Sequence, residues 1–304
     1  MNFENMSWFW NVIKYTLFSL IFIIPLCLFG RVVIIGEIPF WYDPARDLLS
    51  ALAKTRNLTL IGPPSGIPGV FYGPFWIWLL SFSLLISENP RIATIVAATI
   101  PYLVILPLVL FRFSKMFGFV NTISLWMIFV MSFGSNYSTF LWNPHLAPIL
   151  FTIYTYLLVT SDFNKLERGE LIRIIIAGVF GGLIINFHIS FGIGVIISSF
   201  VLIICFYSFR EFVKRKLSFL FLKRLIFHFF MFITGIGLTF IPFAAFEIKN
   251  GFNQIKTTIN VLTTLGSVVA VTGMSDIQII NQFISVFGQL LHLPFFLSIV
   301  IFIL

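Results

Sequence analysis

Two carboxylates and a guanidinium fall within five positions in Trp41-Tyr42-Asp43-Pro44-Ala45-Arg46-Asp47, in a chain of 304 residues of which only 10% are charged. A carboxylate can take a proton from a hydroxyl, and a guanidinium matches two phosphate oxygens at once. Such a set suits a charged, phosphorylated substrate handled at a membrane surface, because it follows directly on the first apolar run. Asp43-Pro44 is a helix start: Asp caps free N–H groups and Pro fits the first helical position. In that helix Asp43, Arg46, Asp47, Ser50 and Lys54 share one face, and Ala45, Leu48, Leu49 and Leu52 share the other. We expect it to lie along the membrane surface with its apolar side down and its charges outward. The plainer alternative is an ordinary interfacial helix with a capping Asp and an Asp–Lys surface pair.

Four further motifs carry polar groups. The stretch Ile61-Gly62-Pro63-Pro64-Ser65-Gly66-Ile67-Pro68-Gly69-Val70-Phe71-Tyr72-Gly73-Pro74 is too rich in Gly and Pro for a helix or a central strand, and it reads as a shaped loop. Trp142-Asn143-Pro144-His145 marks a helix start at an interface, where its plain role is an interfacial Trp with an Asx-Pro turn. His188, within Asn186-Phe187-His188-Ile189-Ser190, sits in a tight turn between two apolar runs. Glu247-Ile248-Lys249-Asn250-Gly251-Phe252 closes the seventh run, with a surface ion pair as its plain reading. His228 and His292 read as structural or interfacial. No His or Cys spacing calls for a metal, although the two carboxylates near Arg46 leave room for a divalent cation. Cys27 and Cys205 lie inside apolar runs and offer no disulfide framework.

The elements that must position these groups are set by composition. The chain is 59% hydrophobic, with 40 Phe and a mean hydropathy of +1.03, which excludes a water-soluble core. Backbone groups in lipid must bond internally, so long apolar runs become helices. The expected fold is all-α and polytopic, with seven spans and a partial eighth: 15–35, 92–111, 119–134, 145–160, 172–188, 191–207, 225–244 and 294–304. The first run lacks a small-x-small cleavage site and reads as a retained signal anchor. The last stops after about eleven residues, as a fragment or a re-entrant helix would. Residues 74–86 are apolar but too short to span, so 36–91 reads as a first outer loop with interfacial helices.

Charge orients this arrangement. If 74–86 does not cross, the N-terminus, 112–118, 161–173 and 208–224 share one side and hold twelve of the nineteen Lys and Arg residues. The positive-inside rule makes that side cytoplasmic and puts every unusual polar motif on the outer face. The net charge of +8 is therefore a topology signal and a contact for membrane lipids, not a nucleic-acid footprint.

Taken in order, these motifs resemble the GT-C superfamily of integral-membrane glycosyltransferases, near the protein mannosyltransferase and aminoarabinose transferase branch. The resemblance covers about residues 10–255. It rests on Asp43/Arg46/Asp47, Ile61–Pro64, Tyr72–Trp78, Trp142–Pro144, His188–Ser190 and Pro242–Phe252. One departure is Tyr72-Gly73-Pro74, where that branch often has Lys-Pro-Pro. The resemblance implies a single transmembrane glycosyltransferase domain over 1–304 lacking its C-terminal part, a polyprenyl-phosphate sugar as donor, and a lipid, glycan or protein as acceptor. Asp43 would be the leading base, with Asp47 as the alternative base or the partner of Arg46. Arg46 and Lys249 would hold phosphate, with His188, Asn143, Tyr72 and Glu247 as further substrate contacts and no certain cofactor. From another class, a lipid or solute transporter would place its ionisable groups near the bilayer midplane, and here the span centres are almost free of them.

Overall fold

The computed structural model describes residues 13, 16, 42–54, 59–65, 68–123, 143–163, 165–213 and 219–272, and these are mostly helical with no strand among them. Eight α-helices follow in order: α1 (Tyr42–Lys54), α2 (Phe75–Ile86), α3 (Pro90–Phe117), α4 (Ala147–Val159), α5 (Arg168–Phe187), α6 (Ile189–Val213), α7 (Phe219–Lys249) and α8 (Asn253–Thr272). A short 3-10 turn, Asn143–Leu146, leads into α4. Among the described residues, α5 and the Lys223–Lys249 part of α7 are long and apolar enough to cross a membrane. The expected spans 92–111 and 191–207 fall within α3 and α6. Those at 15–35 and 294–304, most of that at 119–134, and the residues Trp142, Cys27 and His292 lie outside the described residues.

Two elements differ from expectation. The run 145–160 is a 3-10 turn followed by the 13-residue α4, about 20 Å long and shorter than a hydrocarbon core. Helix α8 was not anticipated, because its threonines and asparagines dilute the apolar pattern that marks a span.

The core forms around α5, which packs against α4, α6, α7 and, less extensively, α2. Glycines set the closest of these contacts. A Cβ at Gly178 would lie 2.1 Å from the Phe232 carbonyl oxygen, and one at Gly235 would lie 2.1 Å from the Ile175 carbonyl oxygen. One turn on, a Cβ at Gly182 would meet the Thr239 hydroxyl at 2.2 Å. Gly178 and Gly182 form the small-xxx-small spacing that lets helix backbones approach where apolar burial gives little drive to associate. Aromatic rings then close the space beside the crossing, with Tyr154 and Phe200 both edge-on to Phe232.

The outward faces are apolar: Ile193, Ile197, Val201 and Leu202 on α6, and Phe227, Phe230, Leu238 and Ile241 on α7, are all exposed. Buried positions instead include Asp47, Asn143, Asn186, His228, Thr239, Glu247 and Gln254. Polar groups inside and hydrocarbon outside is the pattern a lipid environment demands.

The glycines give a paired test. Gly178→Ala forces α5 and α7 apart and should lower stability by about 1–3 kcal/mol or more. Gly237→Ala, with nothing within 4 Å of its new Cβ, should instead stabilise helix α7 by about 0.5–1 kcal/mol. Thermal unfolding of the two variants in one detergent checks both signs.

Candidate functional site

The short helix α1 opens with Asp43 in its first turn, where a carboxylate meets free N–H groups and the positive end of the helix dipole. Asp43 and Arg46 are three residues apart and so share a face. Arg46 Nη1 reaches Asp43 Oδ1 at 2.6 Å, while Nε and Nη2 both donate to Asp47 Oδ1, at 2.9 and 2.7 Å. The guanidinium also lies over the Tyr42 ring, 5.5 Å from its centroid. Asp43 and Arg46 keep about a fifth of their side-chain surface open, whereas Asp47 is wholly buried.

That burial corrects the expected orientation of α1. Asp47 sits inward with Leu48 and Ala51, and Leu49 and Leu52 are exposed. The physical reason is Trp76 on α2, whose indole N–H donates to Asp47 Oδ2 at 3.1 Å. With one carboxylate oxygen on Arg46 and the other on Trp76, Asp47 can leave solvent without an unpaired charge. Ser81 on α2 adds a bond from its hydroxyl to the Ala51 carbonyl, so α1 and α2 form one packed unit.

Between these helices the Gly/Pro stretch folds back on itself. Gly62 N–H donates to the Tyr72 carbonyl and Tyr72 N–H to the Pro63 carbonyl, each at 2.8 Å, and Pro64 and Phe71 form an antiparallel bridge. Gly62 and Gly73 are needed for proximity: a Cβ on Gly62 would sit 2.0 Å from the Gly73 carbonyl oxygen, and one on Gly73 would overlap the Asn186 amide. The ribbon is thus pressed onto Asn186 at the end of α5. Asn186 Nδ2 donates to the Gly182 carbonyl at 2.7 Å and to the Thr239 hydroxyl at 3.3 Å. The ribbon is also held by α8, where Phe71 N–H donates to Gln254 Oε1 at 2.7 Å. Tyr72 is half-buried, and burial raises its phenol above the usual range.

Glu247 is not the surface ion pair that its neighbour Lys249 suggests. It is 1% exposed, and its Oε2 accepts from Ile255 N–H at 3.1 Å in the first turn of α8. The turn that brings the chain round uses Gly251 and Phe252, both with positive φ, and closes with Phe252 N–H on the Glu247 carbonyl. Glycine just past a helix end is the residue this conformation favours. Glu247 Oε1 and Gln254 Nε2 are both buried without a hydrogen-bond partner, an open acceptor and an open donor on the same α7–α8 corner. Lys249 is exposed, with no ion pair seen for it among the described residues.

Asn143 and His188 stand at the same C-terminal end of α5 as Asn186, beside Phe187. Asn143 is buried and its Nδ2 donates to the Phe187 carbonyl at 3.0 Å. His188 Nδ1 accepts from Phe191 N–H at 3.3 Å, capping the start of α6. The structure therefore brings together Asp43, Arg46 and Asp47 as one cluster, and Asn186 and Gln254 against the ribbon that carries Tyr72, with Glu247 capping the helix that bears Gln254. Asn143 and His188 hold the junction of α5 with its neighbours. Trp76, Thr239 and Gln254 were missed as partners. Only the aromatic density of 72–78 hinted at the first, and Gln254 meets Phe71 across 183 positions. Among the described residues no three His, Cys, Asp or Glu side chains gather as a metal site. No family model, curated protein or solved structure matches the chain.

Burial pushes the Asp47 carboxyl up to about 6, against the opposing pull of Arg46 and Trp76. In the unfolded chain this group ionises near pH 4. Between about pH 4 and 6 the folded state therefore holds a proton that the unfolded state has lost. Stability should be greatest below pH 4 and fall by up to about 3 kcal/mol as pH rises to 6, then level off. Asp47→Asn should abolish that slope. It also leaves one carbonyl oxygen to serve both Arg46 and Trp76, at a cost of about 1–3 kcal/mol. Unfolding midpoints of both proteins from pH 4 to 8 read out both effects.

Proposed function

We propose that this chain is an integral-membrane, multi-pass inverting glycosyltransferase of the GT-C type. It moves a sugar from a polyprenyl-phosphate donor to a hydroxyl acceptor on the extracytoplasmic face. The observation that carries this reading is the partly open Asp43–Arg46 pair resting on a buried Asp47. The order of the outer motifs and the one-sided basic loops support it from sequence.

The chemistry asks for little more. Asp43 takes the proton of the acceptor hydroxyl as its oxygen bonds to the anomeric carbon. The bond from that carbon to the phosphate oxygen breaks, and the phosphate departs with the electron pair. One displacement inverts the anomeric carbon, and no second acid is needed because the leaving phosphate is stable unprotonated. Arginine has five N–H donors. Three atoms of Arg46 already face carboxylates, and the two N–H groups left over are directed to the leaving phosphate, with Lys249 as the second cation. Asp47 is a positioning residue that fixes the plane of the guanidinium. Tyr72 takes a sugar hydroxyl, while the buried Glu247, with Asn143 and His188, holds the turns behind it.

Membranes carrying wild type, Asp43→Asn or Asp47→Asn, supplied with radiolabelled polyprenyl-phosphate sugars and native acceptors, test this directly. Wild type should consume one donor, and Asp43→Asn should be slower by roughly 10²–10³-fold. Full transfer by both variants would sink the assignment. Folded wild type that consumes no donor would turn the reading to a lipid or solute transporter.

A further inference from the structure

A second polar constellation lies apart from these residues, in the helix core. Where α4, α5, α6 and α7 meet there is a cavity of about 10 Å³. Its wall is largely apolar, from residues such as Phe163, Phe200 and Phe232, yet Tyr154 of α4, Ser199 of α6 and His228 of α7 also line it. Tyr154 and His228 are each 1% exposed.

The protonation of His228 follows from its neighbour. Its Nδ1 lies 2.8 Å from the Arg224 carbonyl oxygen, and a carbonyl can only accept. Nδ1 therefore carries the proton, and in the neutral ring Nε2 is a bare acceptor. That Nε2 is buried with no hydrogen-bond partner, and so is the Tyr154 hydroxyl. Ser199 stands beside Tyr154, but no direct bond of sound geometry closes between their hydroxyls. Buried polar atoms of this kind are nearly always satisfied in folded proteins.

We infer that the cavity binds one water molecule, which cross-links α4, α6 and α7. The water donates to His228 Nε2 and to Ser199 Oγ, and accepts from the Tyr154 hydroxyl. That makes about three hydrogen bonds, the usual number for a buried water, in a space close to the smallest that holds one, on the order of 10–15 Å³. Neutrality suits the site as well, since no ionised side chain lines it and an ion would stay uncompensated among aromatic rings.

An experimental map of the full chain, at a resolution that shows ordered solvent, should contain a peak about 2.7–3.2 Å from both Tyr154 Oη and His228 Nε2. A dry, well-ordered cavity overturns the proposal. A double-mutant cycle gives an independent reading through Tyr154→Phe, Ser199→Ala and the pair, each of which removes only an oxygen. Each single change should lower Tm by roughly 2–4 °C, and the pair should lower it by clearly less than the sum, because either change already releases the water. Strict additivity shows that the two hydroxyls share nothing and rejects the bridge. His228→Phe, if it folds, should couple to Tyr154→Phe in the same way.

Discussion

The close crossing of α5 and α7 governs how everything else is placed. Backbone meets backbone there, with Gly178 against the Phe232 carbonyl and Gly235 against that of Ile175. In lipid there is little hydrophobic drive to bring helices together, so contact depends on dispersion between close surfaces and on interhelical hydrogen bonds. Glycine removes the side chain that would hold the axes apart. The same register puts Asn186 opposite Thr239, so that the amide bonds across the interface as well as to its own helix.

From that crossing the polar motifs are built outward. Asn186 presents its carbonyl side to Gly73, where no Cβ intrudes, and the Gly/Pro ribbon seats on it. The end of α5 receives Asn143 on the Phe187 carbonyl and turns at His188 into α6. The end of α7 turns through Gly251 and Phe252 so that Glu247 caps α8, and Gln254 of α8 accepts from the ribbon at Phe71 N–H. Helix α1 stands on this assembly through Trp76, which supplies the second partner that allows Asp47 to be buried. A carboxylate so placed is well suited to orienting Arg46 and poorly placed to meet a substrate. On the proposed reading the division of labour follows: Asp43 faces the reaction and Asp47 holds the cation.

Burial explains where sequence reasoning about the site went astray. Helical spacing groups Asp43, Arg46 and Asp47 correctly, since three- and four-residue steps share a face whatever surrounds them. It cannot say whether that face meets water or another helix. A hydrophobicity argument sends charge outward, yet Asp47 is wholly buried while Leu49 and Leu52 are exposed. Glu247 and Lys249 fail similarly, because two steps on a helix place side chains on different faces. Glu247 therefore turns inward to α8 and Lys249 outward.

What the sequence determined by itself is what depends on short range and composition. Its apolar runs required helices, its Gly and Pro excluded helix from the 61–74 stretch, and Asp43-Pro44 signalled a helix in whose first described turn Asp43 lies. Local sterics and backbone hydrogen bonding act over a few residues and can be read directly. The partners of the buried polar groups were decided only in three dimensions: Trp76 for Asp47 across 29 positions, Thr239 for Asn186 across 53, and Gln254 for Phe71 across 183. Such pairs depend on how helices cross. That depends in turn on which glycines face each other, a relation between distant segments that no local pattern contains.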